Sequence, residues 1–439
     1  MREIVHVQIG QCGNNVGTKF WEKICDEHGL HRDGVFDGDD SSDMRLQRIN
    51  VYFAEGQGGR FVPRAVLIDL DSKALSSALS RKCGGLFKPE SFVVGRESAG
   101  NNWAKGYYSE GAGVVDEALD VVRAEAEACD LLQGIQLVRS LGGGTGSGAG
   151  ALLMTKLKEE YPSRIVKCYS VMPSAKMSDV VVEPYNAVLA LGASIEFADQ
   201  CFCMDNHALH RVCSRLQRIA TPTYADTNHL ISACMAGVTC CFRFPGQPSA
   251  DLRKLHVNLV PFPKLHFFVA GYAPLTSRSA AQYAVASVPE LARQLFNPSN
   301  ALVDYDPAAG KTIAAAAIFR GNASTKRVEE QMYIVRNKNS PNFVEWIPNN
   351  VQTAVCKVAP RGVSMNATLI SNTTTFQEPL KRLMSGFNDM LKKKAYIHWY
   401  TAEGMDESEF TDVQGKMRDL IAEYQQQQQE ANTENADPL

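Results

Sequence analysis

The sequence lacks the features that mark membrane, secreted and zinc-binding proteins. No apolar run approaches the roughly 18 residues of a membrane-spanning helix, and the N-terminus leads straight into a strand-like stretch without an apolar signal segment. The twelve cysteines include no C-x-x-C pair, and the nearest pairs are Cys201/Cys203 and Cys240/Cys241. That spacing argues against a zinc site or a disulfide framework. We therefore expect a cytoplasmic protein whose cysteines are mostly reduced and buried.

The chain also lacks a strong net charge. Its 439 residues carry a formal net charge of −3, with 45% hydrophobic and 21% charged residues. Nucleic acids and acidic membranes attract strongly basic surfaces, so the charge gives no reason to expect either as a partner. The composition is that of a globular protein with a large core, and the length corresponds to about three ordinary domains.

The first half of the chain alternates short apolar runs with helical patterns. Between the runs, apolar residues recur at three- and four-residue spacing, as at Val16, Phe20 and Ile24. This alternation predicts βαβ units, a mostly parallel sheet and ligand binding at the carboxyl ends of its strands. The predicted strands are residues 4–9, 65–70, 92–94, 135–141, 165–172 and 201–204.

The pattern changes after residue 206, so we divide the chain into three segments. Residues 1–206 form the α/β domain. Residues 207–374 form an α+β domain that includes a long helix near 223–241. Residues 375–439 hold two helices, near 376–393 and 406–428. The glutamine run at 425–429 and the polar residues after it bury too little apolar surface to fold, so we expect a disordered tail.

The strongest chemical signal is the segment Gly142-Gly143-Gly144-Thr145-Gly146-Ser147-Gly148, which lies between a predicted strand and an amphipathic helix. Glycine lets the backbone approach an anion closely, the exposed N–H groups form a nest, and the helix adds the positive end of its dipole. No Lys-Ser/Thr follows, so the segment is not a P-loop. We interpret it as a phosphate cradle, because a flexible linker would not sit so tightly between two elements.

The same glycines also match a loose dinucleotide fingerprint, Gly144-x-Gly146-x-x-Ala149, which would indicate a nicotinamide-dependent oxidoreductase. That fingerprint belongs in the first βα turn and needs an acidic residue at the end of the next strand. Here the segment follows several strands, and the next strand ends in Val171-Met172-Pro173. The oxidoreductase is therefore the weaker alternative.

Other polar segments also follow predicted strands. Residues 10–14 (Gly-Gln-Cys-Gly-Asn) and 98–104 offer further donors that would surround a polyphosphate from several sides. Asp69 and Asp71 end a predicted strand. A carboxylate there could bind Mg²⁺ or cap the following helix, and the two interpretations are equally good. An aromatic ring and amide groups would suit a purine base, although each alone is more often a cap or a core residue. The candidates for that base are Asn206, Tyr224 and Asn228.

Eight segments match a known family: residues 1–4, 8–14, 100–106, 142–148, 181–186 (Val-Val-Glu-Pro-Tyr-Asn), 243–246 (Arg-Phe-Pro-Gly), 260–263 and 398–401 (His-Trp-Tyr-Thr). On these segments the chain resembles the tubulin family over essentially its whole length. The resemblance implies a Rossmann-like GTP-binding domain at 1–206, an intermediate domain with the core helix at 207–374, and a C-terminal helical hairpin at 375–439. It also implies a cytoplasmic, cytoskeletal protein that forms microtubules.

The resemblance also implies the roles of individual residues. Asp179 and Glu183 fall at the ribose, and Asn206, Tyr224 and Asn228 fall at the guanine. Asp71 falls at the family's Mg²⁺-associated carboxylate, where most β-type chains carry glutamate. The residues implied around the phosphates of GTP or GDP are Gln11, Cys12, Asn101, Ser140, Gly144, Thr145 and Gly146.

One residue distinguishes the two kinds of subunit. Lys254 stands where α-type chains carry the glutamate that activates water on the neighbour's nucleotide, and a charged lysine cannot serve as that base. The short connection at 358–362 also resembles the β type. The implied protein is a β-tubulin-like subunit that pairs with α-tubulin, contacts other β-tubulins laterally, and has its own GTP hydrolysed when the next α subunit docks. A relative specialised for nucleation is the alternative within the family.

Several residues depart from the usual β-type pattern. Asn15 replaces a glutamine, His207 a glutamate, Ala225 a glycine and Thr227 a leucine, and Ala284 replaces an arginine in the lateral-contact loop. We expect nucleotide binding to persist and polymer kinetics to differ from those of common isoforms. The tail after residue 429 is poor in acidic residues, so its electrostatic attraction for motors and associated proteins should be weak.

Overall fold

The computed structural model describes residues 2–38, 44–174, 176–247, 251–276, 287–338 and 342–434. Its strands are β1 Glu3–Ile9, β2 Phe53–Glu55, β3 Phe61–Pro63, β4 Ala65–Asp69, β5 Phe92–Val94, β6 Leu132–Ser140, β7 Ile165–Met172, β8 Gln200–Asp205, β9 Gly246–Gln247, β10 Phe267–Ala273, β11 Thr312–Gly321, β12 Val351–Cys356 and β13 Met365–Thr373. Its α-helices are α1 Gly10–His28, α2 Ser72–Leu79, α3 Ala112–Glu127, α4 Gly150–Glu160, α5 Glu183–Phe197, α6 Asn206–Arg215, α7 Tyr224–Arg243, α8 Leu252–Leu259, α9 Val288–Leu295, α10 Thr325–Lys338, α11 Gln377–Lys392, α12 Ile397–Thr401 and α13 Glu407–Glu434.

One large sheet organises the described residues, with strand order β5-β4-β1-β6-β7-β8-β10-β13-β11-β12-β9. The first seven strands in this order are mutually parallel, so their carboxyl ends meet at one edge. The chain adds β4 and β5 on one side of β1 and then returns to add β6 on the other side. A crevice forms at such a switch point, between β1 and β6, and is where open α/β sheets bind ligands.

The predicted α/β class and all six predicted strands are confirmed. Every residue of β1 and of β7 is buried, because each strand lies between two others and helices cover both faces of the sheet. The sheet also continues beyond the predicted boundary at residue 206, since Phe267 of β10 pairs with Cys201 of β8. The domain limits themselves remain a prediction.

The long middle helix α7 lies against α1 and is buried over most of its length. It begins with a capping box, in which Asp226 accepts from the backbone N–H of Thr223 at 3.0 Å. Near its end Arg243 reaches Glu27 of α1 at 2.7 Å, and Glu27 also accepts from Arg320 of β11 at 2.9 Å. All three charges are buried, so one ion-paired cluster ties together the N-terminal helix, the middle helix and the second half of the sheet.

The C-terminal helices differ from the prediction at one end. We predicted that the last helix ends at residue 428, but α13 continues to Glu434. Ala431 is buried, and the Gln428 side chain donates to the carbonyl oxygen of Ala309 at 2.6 Å. These contacts with the body of the protein hold a polar segment that composition alone predicts to be unfolded. The end of the tail and the lateral-contact loop with Ala284 lie outside the described residues.

In the part of the chain that the structure describes, none of the helices combines the length and the apolar character needed to cross a membrane.

Candidate functional site

The predicted phosphate-binding loops meet at the carboxyl edge of the sheet, between β1 and β6. Helix α1 begins at Gly10, directly after β1, and the glycine-rich segment follows β6. That segment forms a single π-helical turn, Thr145–Ala149, which leads into α4. Two helical N-termini therefore point at the same crevice, and both present backbone N–H groups and positive dipole ends to it.

Two glycines show why these loops need that residue. Gly10 has φ +75°, and a Cβ atom there would lie 3.1 Å from the backbone nitrogen of Gly146. A Cβ at Gly144 would lie 2.7 Å from the Cβ of Ala99 and 2.8 Å from the backbone nitrogen of Asn102. The loops after β1, β5 and β6 thus pack against one another at distances that leave no room for side chains.

The crevice contains two adjoining cavities. We call one, of about 240 Å³, the glycine cavity, and the other, of about 390 Å³, the helix cavity because it extends to α7. Together they are large enough for a small-molecule ligand. The glycine cavity is lined by the predicted Asp71, Gly144, Thr145 and Gly146. The helix cavity is lined by the predicted Glu183, Asn206, Tyr224 and Asn228, and both cavities share Gln11, Cys12, Asn101, Ser140 and Gly143.

Asp179 is the one predicted nucleotide residue that lines neither cavity. It lines a third cavity, of about 400 Å³, which adjoins the helix cavity through shared walls at Ser178 and Glu183. Ser178 and Val180 line the helix cavity and were missed by the sequence reasoning. Both residues follow the carboxyl end of β7, and this position in the sequence would have been enough to predict them as ligand-binding candidates.

Two family models match the chain in tandem. Residues 3–214 match the GTPase domain of the Tubulin/FtsZ family, and residues 263–385 match the tubulin C-terminal domain. The chain belongs to the tubulin superfamily. It is accordingly a guanine-nucleotide-binding protein of the cytoskeletal type. The oxidoreductase alternative loses its support, because the loose dinucleotide fingerprint falls inside the matched GTPase domain.

In this tubulin-superfamily chain the two cavities differ in chemical character. The helix cavity ends at Tyr224, whose side chain is 73% exposed and therefore free to stack on a base. Asn206 and Asn228 add amide donors and acceptors beside it. The glycine cavity is lined instead by several glycines, by the carboxylates Asp69 and Asp71, and by Lys73. This arrangement would place a base at α7 and a polyphosphate at the glycine-rich segment.

The two carboxylates fit a magnesium ion that accompanies phosphates. Asp69 and Asp71 both line the glycine cavity, and the Oδ2 atom of Asp69 is buried without a hydrogen-bond partner. Burial raises the pKa of Asp69 to about 6. Asp71 also caps α2, accepting from the backbone N–H of Lys73 at 3.1 Å, so the cap reading is correct for this residue. Among the described residues, no group of three or more His, Cys, Asp and Glu could hold a metal unaided, and Mg²⁺ at nucleotide sites usually uses one or two carboxylates plus the phosphates.

The cysteine beside the phosphate loops is not built as a nucleophile. Burial raises the pKa of the Cys12 thiol to about 12, so the side chain is neutral at physiological pH. A thiolate is the reactive form of cysteine, and it would also repel phosphate oxygens. Cys12 therefore lines the cavity as a small uncharged group.

Proposed function

We propose that this chain is a β-type tubulin. In this proposal it holds GTP or GDP in the glycine and helix cavities, pairs with an α-type subunit, and assembles head to tail into microtubules in the cytoplasm. Mg²⁺ would sit between the phosphates and Asp71, directly or through water. The nucleotide would be hydrolysed only when the next α subunit completes the site, which makes the chain a polymer subunit and not a free-standing enzyme.

The observation that carries the proposal lies at the opposite end of the sheet. A cavity of about 490 Å³, which we call the basic cavity, opens at the amino ends of β6 and β7 and is lined by Arg164, Arg253 and Lys254. Asp251 is the one acidic side chain among its described lining residues, and it is ion-paired with Arg2. Among the described residues that line it, the basic cavity thus offers positive charge and no unpaired carboxylate.

In head-to-tail assembly, the edge of the sheet where the parallel strands begin would lie against the edge of the next subunit's sheet where its parallel strands end. The basic cavity would then face the nucleotide site of the neighbouring subunit. Positive charge at that place would attract the phosphates, but it does not supply the general base that activation of a water molecule needs. By resemblance to the family, Lys254 therefore leaves the neighbour's GTP uncleaved, as expected of a β-type and not an α-type subunit.

The residues of this chain would bind and orient the nucleotide rather than cleave it. The amides of the glycine-rich segment hold phosphate oxygens, and the connection between β7 and α5 closes the ribose side. Loss of the terminal phosphate would remove contacts to these loops and shift the lattice toward a weaker arrangement. Assembly is thus coupled to the state of the nucleotide.

The proposal is tested by co-expressing the full-length chain with α-tubulin. We expect the two to co-purify, to carry guanine nucleotide identified by chromatography of the extracted ligand, and to form microtubules with GTP in electron micrographs. Absence of guanine nucleotide, or failure to form filaments with any α-type partner, would refute it. Rings or caps without filaments would instead favour the relative specialised for nucleation.

The β-type assignment has its own test, in which Lys254→Glu restores the acid that α-type chains carry. We expect polymers of this variant to convert GTP at the partner's site to GDP, which polymers of the unmodified chain leave intact. Arg253→Glu is the matched control, because it makes the same charge change on an adjacent residue of the basic cavity. Equal GDP content at the partner's site in both variants would contradict the role given to position 254.

A further inference from the structure

Asn186 lies fully buried in the first turn of α5, and its side chain joins two loops of the nucleotide site. Its amide nitrogen donates to the carbonyl oxygen of Asn101 at 2.7 Å and to that of Gly142 at 2.9 Å. Asn101 and Gly142 both line the helix cavity. Asn101 lies in the connection after β5, and Gly142 lies in the connection after β6. One amide group therefore sets the separation of two loops that contact the proposed nucleotide.

The oxygen of the same amide is held from the other side. It accepts from the backbone N–H of Trp103 at 3.0 Å and from the hydroxyl of Tyr400 at 2.8 Å. An asparagine side chain has two donor hydrogens and two acceptor positions. All four are used here, so the orientation of the Asn186 amide is fully determined by its partners.

Tyr400 brings the C-terminal region into this arrangement. It lies in α12 and is buried, and its ring packs edge-on against Tyr185 at 5.6 Å and Phe410 at 5.4 Å between ring centroids. A second contact comes from the preceding residue, since the side-chain nitrogen of Asn102 donates to the carbonyl oxygen of Trp399 at 2.8 Å. Helix α12 thus holds the Asn101–Asn102 loop directly through Trp399 and indirectly through Tyr400 and Asn186.

We propose that Tyr400 is a positioning residue for nucleotide binding, acting through Asn186 on the loops that carry Asn101 and Gly142. The inference rests on the proposed location of the nucleotide in the helix cavity. Asn101 has φ +57°, a left-handed conformation that asparagine tolerates better than other side chains but less well than glycine, so contacts with its neighbours help this loop to keep its shape. Without the Tyr400 hydroxyl, the amide oxygen keeps only the N–H of Trp103 as a donor, so the amide is held less firmly against the two carbonyls.

The coupling also operates in the opposite direction. A bound nucleotide that fixes the two loops fixes the Asn186 amide and with it the packing of α12. Binding free energies are linked reciprocally, so a partner that shifts α12 changes nucleotide affinity by the same factor by which nucleotide changes the affinity for that partner. The C-terminal helices and the nucleotide site thus form one coupled unit.

The test is Tyr400→Phe in the full-length chain co-purified with α-tubulin, with the release of a fluorescent GDP analogue as the readout. Loss of one neutral hydrogen bond is expected to speed release about fivefold. Tyr185→Phe is the matched control: it removes a hydroxyl that donates to the carbonyl oxygen of Ala395 at 3.0 Å in the same neighbourhood but touches neither loop. Its release rate should stay within about twofold of the unmodified chain.

Thermal unfolding after removal of the bound nucleotide separates positioning from a general loss of stability. Both variants should lower the unfolding midpoint by similar amounts, while only Tyr400→Phe accelerates release. Equal release rates in the two variants would overturn the role of Tyr400 and leave the proposed function intact. If the unmodified chain itself carried no guanine nucleotide, the proposed function would fail first.

Discussion

The substitution Glu27→Gln, in the buried ion-paired cluster, should destabilise the protein strongly. Glu27 accepts from Arg243 at 2.7 Å and from Arg320 at 2.9 Å, and all three side chains are less than 10% exposed. Glutamine keeps the shape of the side chain and removes its charge. Two guanidinium groups then remain buried without a counter-charge.

The magnitude follows from the pKa of Glu27. Burial alone would raise this pKa, but the Arg320 and Arg243 guanidinium groups more than reverse the effect and lower it from 4.5 to about 2. Lowering a carboxyl pKa from 4.5 to about 2 corresponds to roughly 3 kcal/mol in favour of the charged form. Breaking one partner out of a buried ion pair typically costs about 3–5 kcal/mol. We therefore expect Glu27→Gln to lower the free energy of unfolding by about 3 kcal/mol.

The sign of the pH dependence follows from the same shift. A lowered carboxyl pKa contributes stability that is fully present above the unfolded-state value and is lost as the pH falls through the folded-state value. The difference between the two proteins should thus be constant from pH 5 to 8 and shrink only below about pH 4. Unfolding followed by circular dichroism across this range measures it.

Asp26→Asn is the matched control, because Asp26 is the adjacent acid on α1. Its side chain is exposed and lies 3.6 Å from an equally exposed Arg361. Exposed ion pairs contribute about 0–1 kcal/mol, so this change should be nearly silent. A loss below about 1 kcal/mol for Glu27→Gln, or equal losses for the two variants, would refute the reasoning.

Two further variants test the nucleotide site. Gly144→Ala should abolish nucleotide binding, measured by titration, because the added Cβ would meet backbone and side-chain atoms at under 3.0 Å. Gly113→Ala is the control, because a Cβ there meets nothing within 4 Å. This variant should bind nucleotide normally and gain about 0.5–1 kcal/mol in stability. Asp71→Asn should leave thermal stability unchanged, since asparagine caps helices as well as aspartate does. The same variant should raise the Mg²⁺ concentration needed for tight GTP binding, and an unchanged Mg²⁺ requirement would remove Asp71 from the metal site.

Much of the α/β half was predictable because its signals are local. The strands of this half are mostly apolar with few polar residues, which is the pattern of strands buried on both faces. Five of the seven residues at 142–148 are glycine, and close backbone approach is the main reason for so many glycines between a strand and a helix. The order of those elements along the chain was therefore enough to predict a parallel sheet with a ligand at its carboxyl edge.

Polar residues in buried strands were not predictable in the same way. Lys167 interrupts an apolar run and is 1% exposed, with its ammonium group 4.7 Å from the ring centre of Phe202. Burial lowers the pKa of Lys167 to about 7. The residue pairs in register with Gln136 on one side and Gln200 on the other, so a polar row crosses the buried face of four strands from His6. Sequence patterns cannot show such a row, because it is formed by residues far apart in the chain.

The sequence by itself determined the kind of fold, the glycine-rich cradle and the resemblance to tubulins, since each depends on residues close together along the chain. Only the tertiary structure decided which side chains act together across long separations. Glu27 meets Arg243 and Arg320, Asn186 meets Tyr400, and Asp179 turns to a neighbouring cavity. Hydrogen bonds and ion pairs need partners at about 3 Å, and that proximity is set by how strands and helices pack rather than by local sequence.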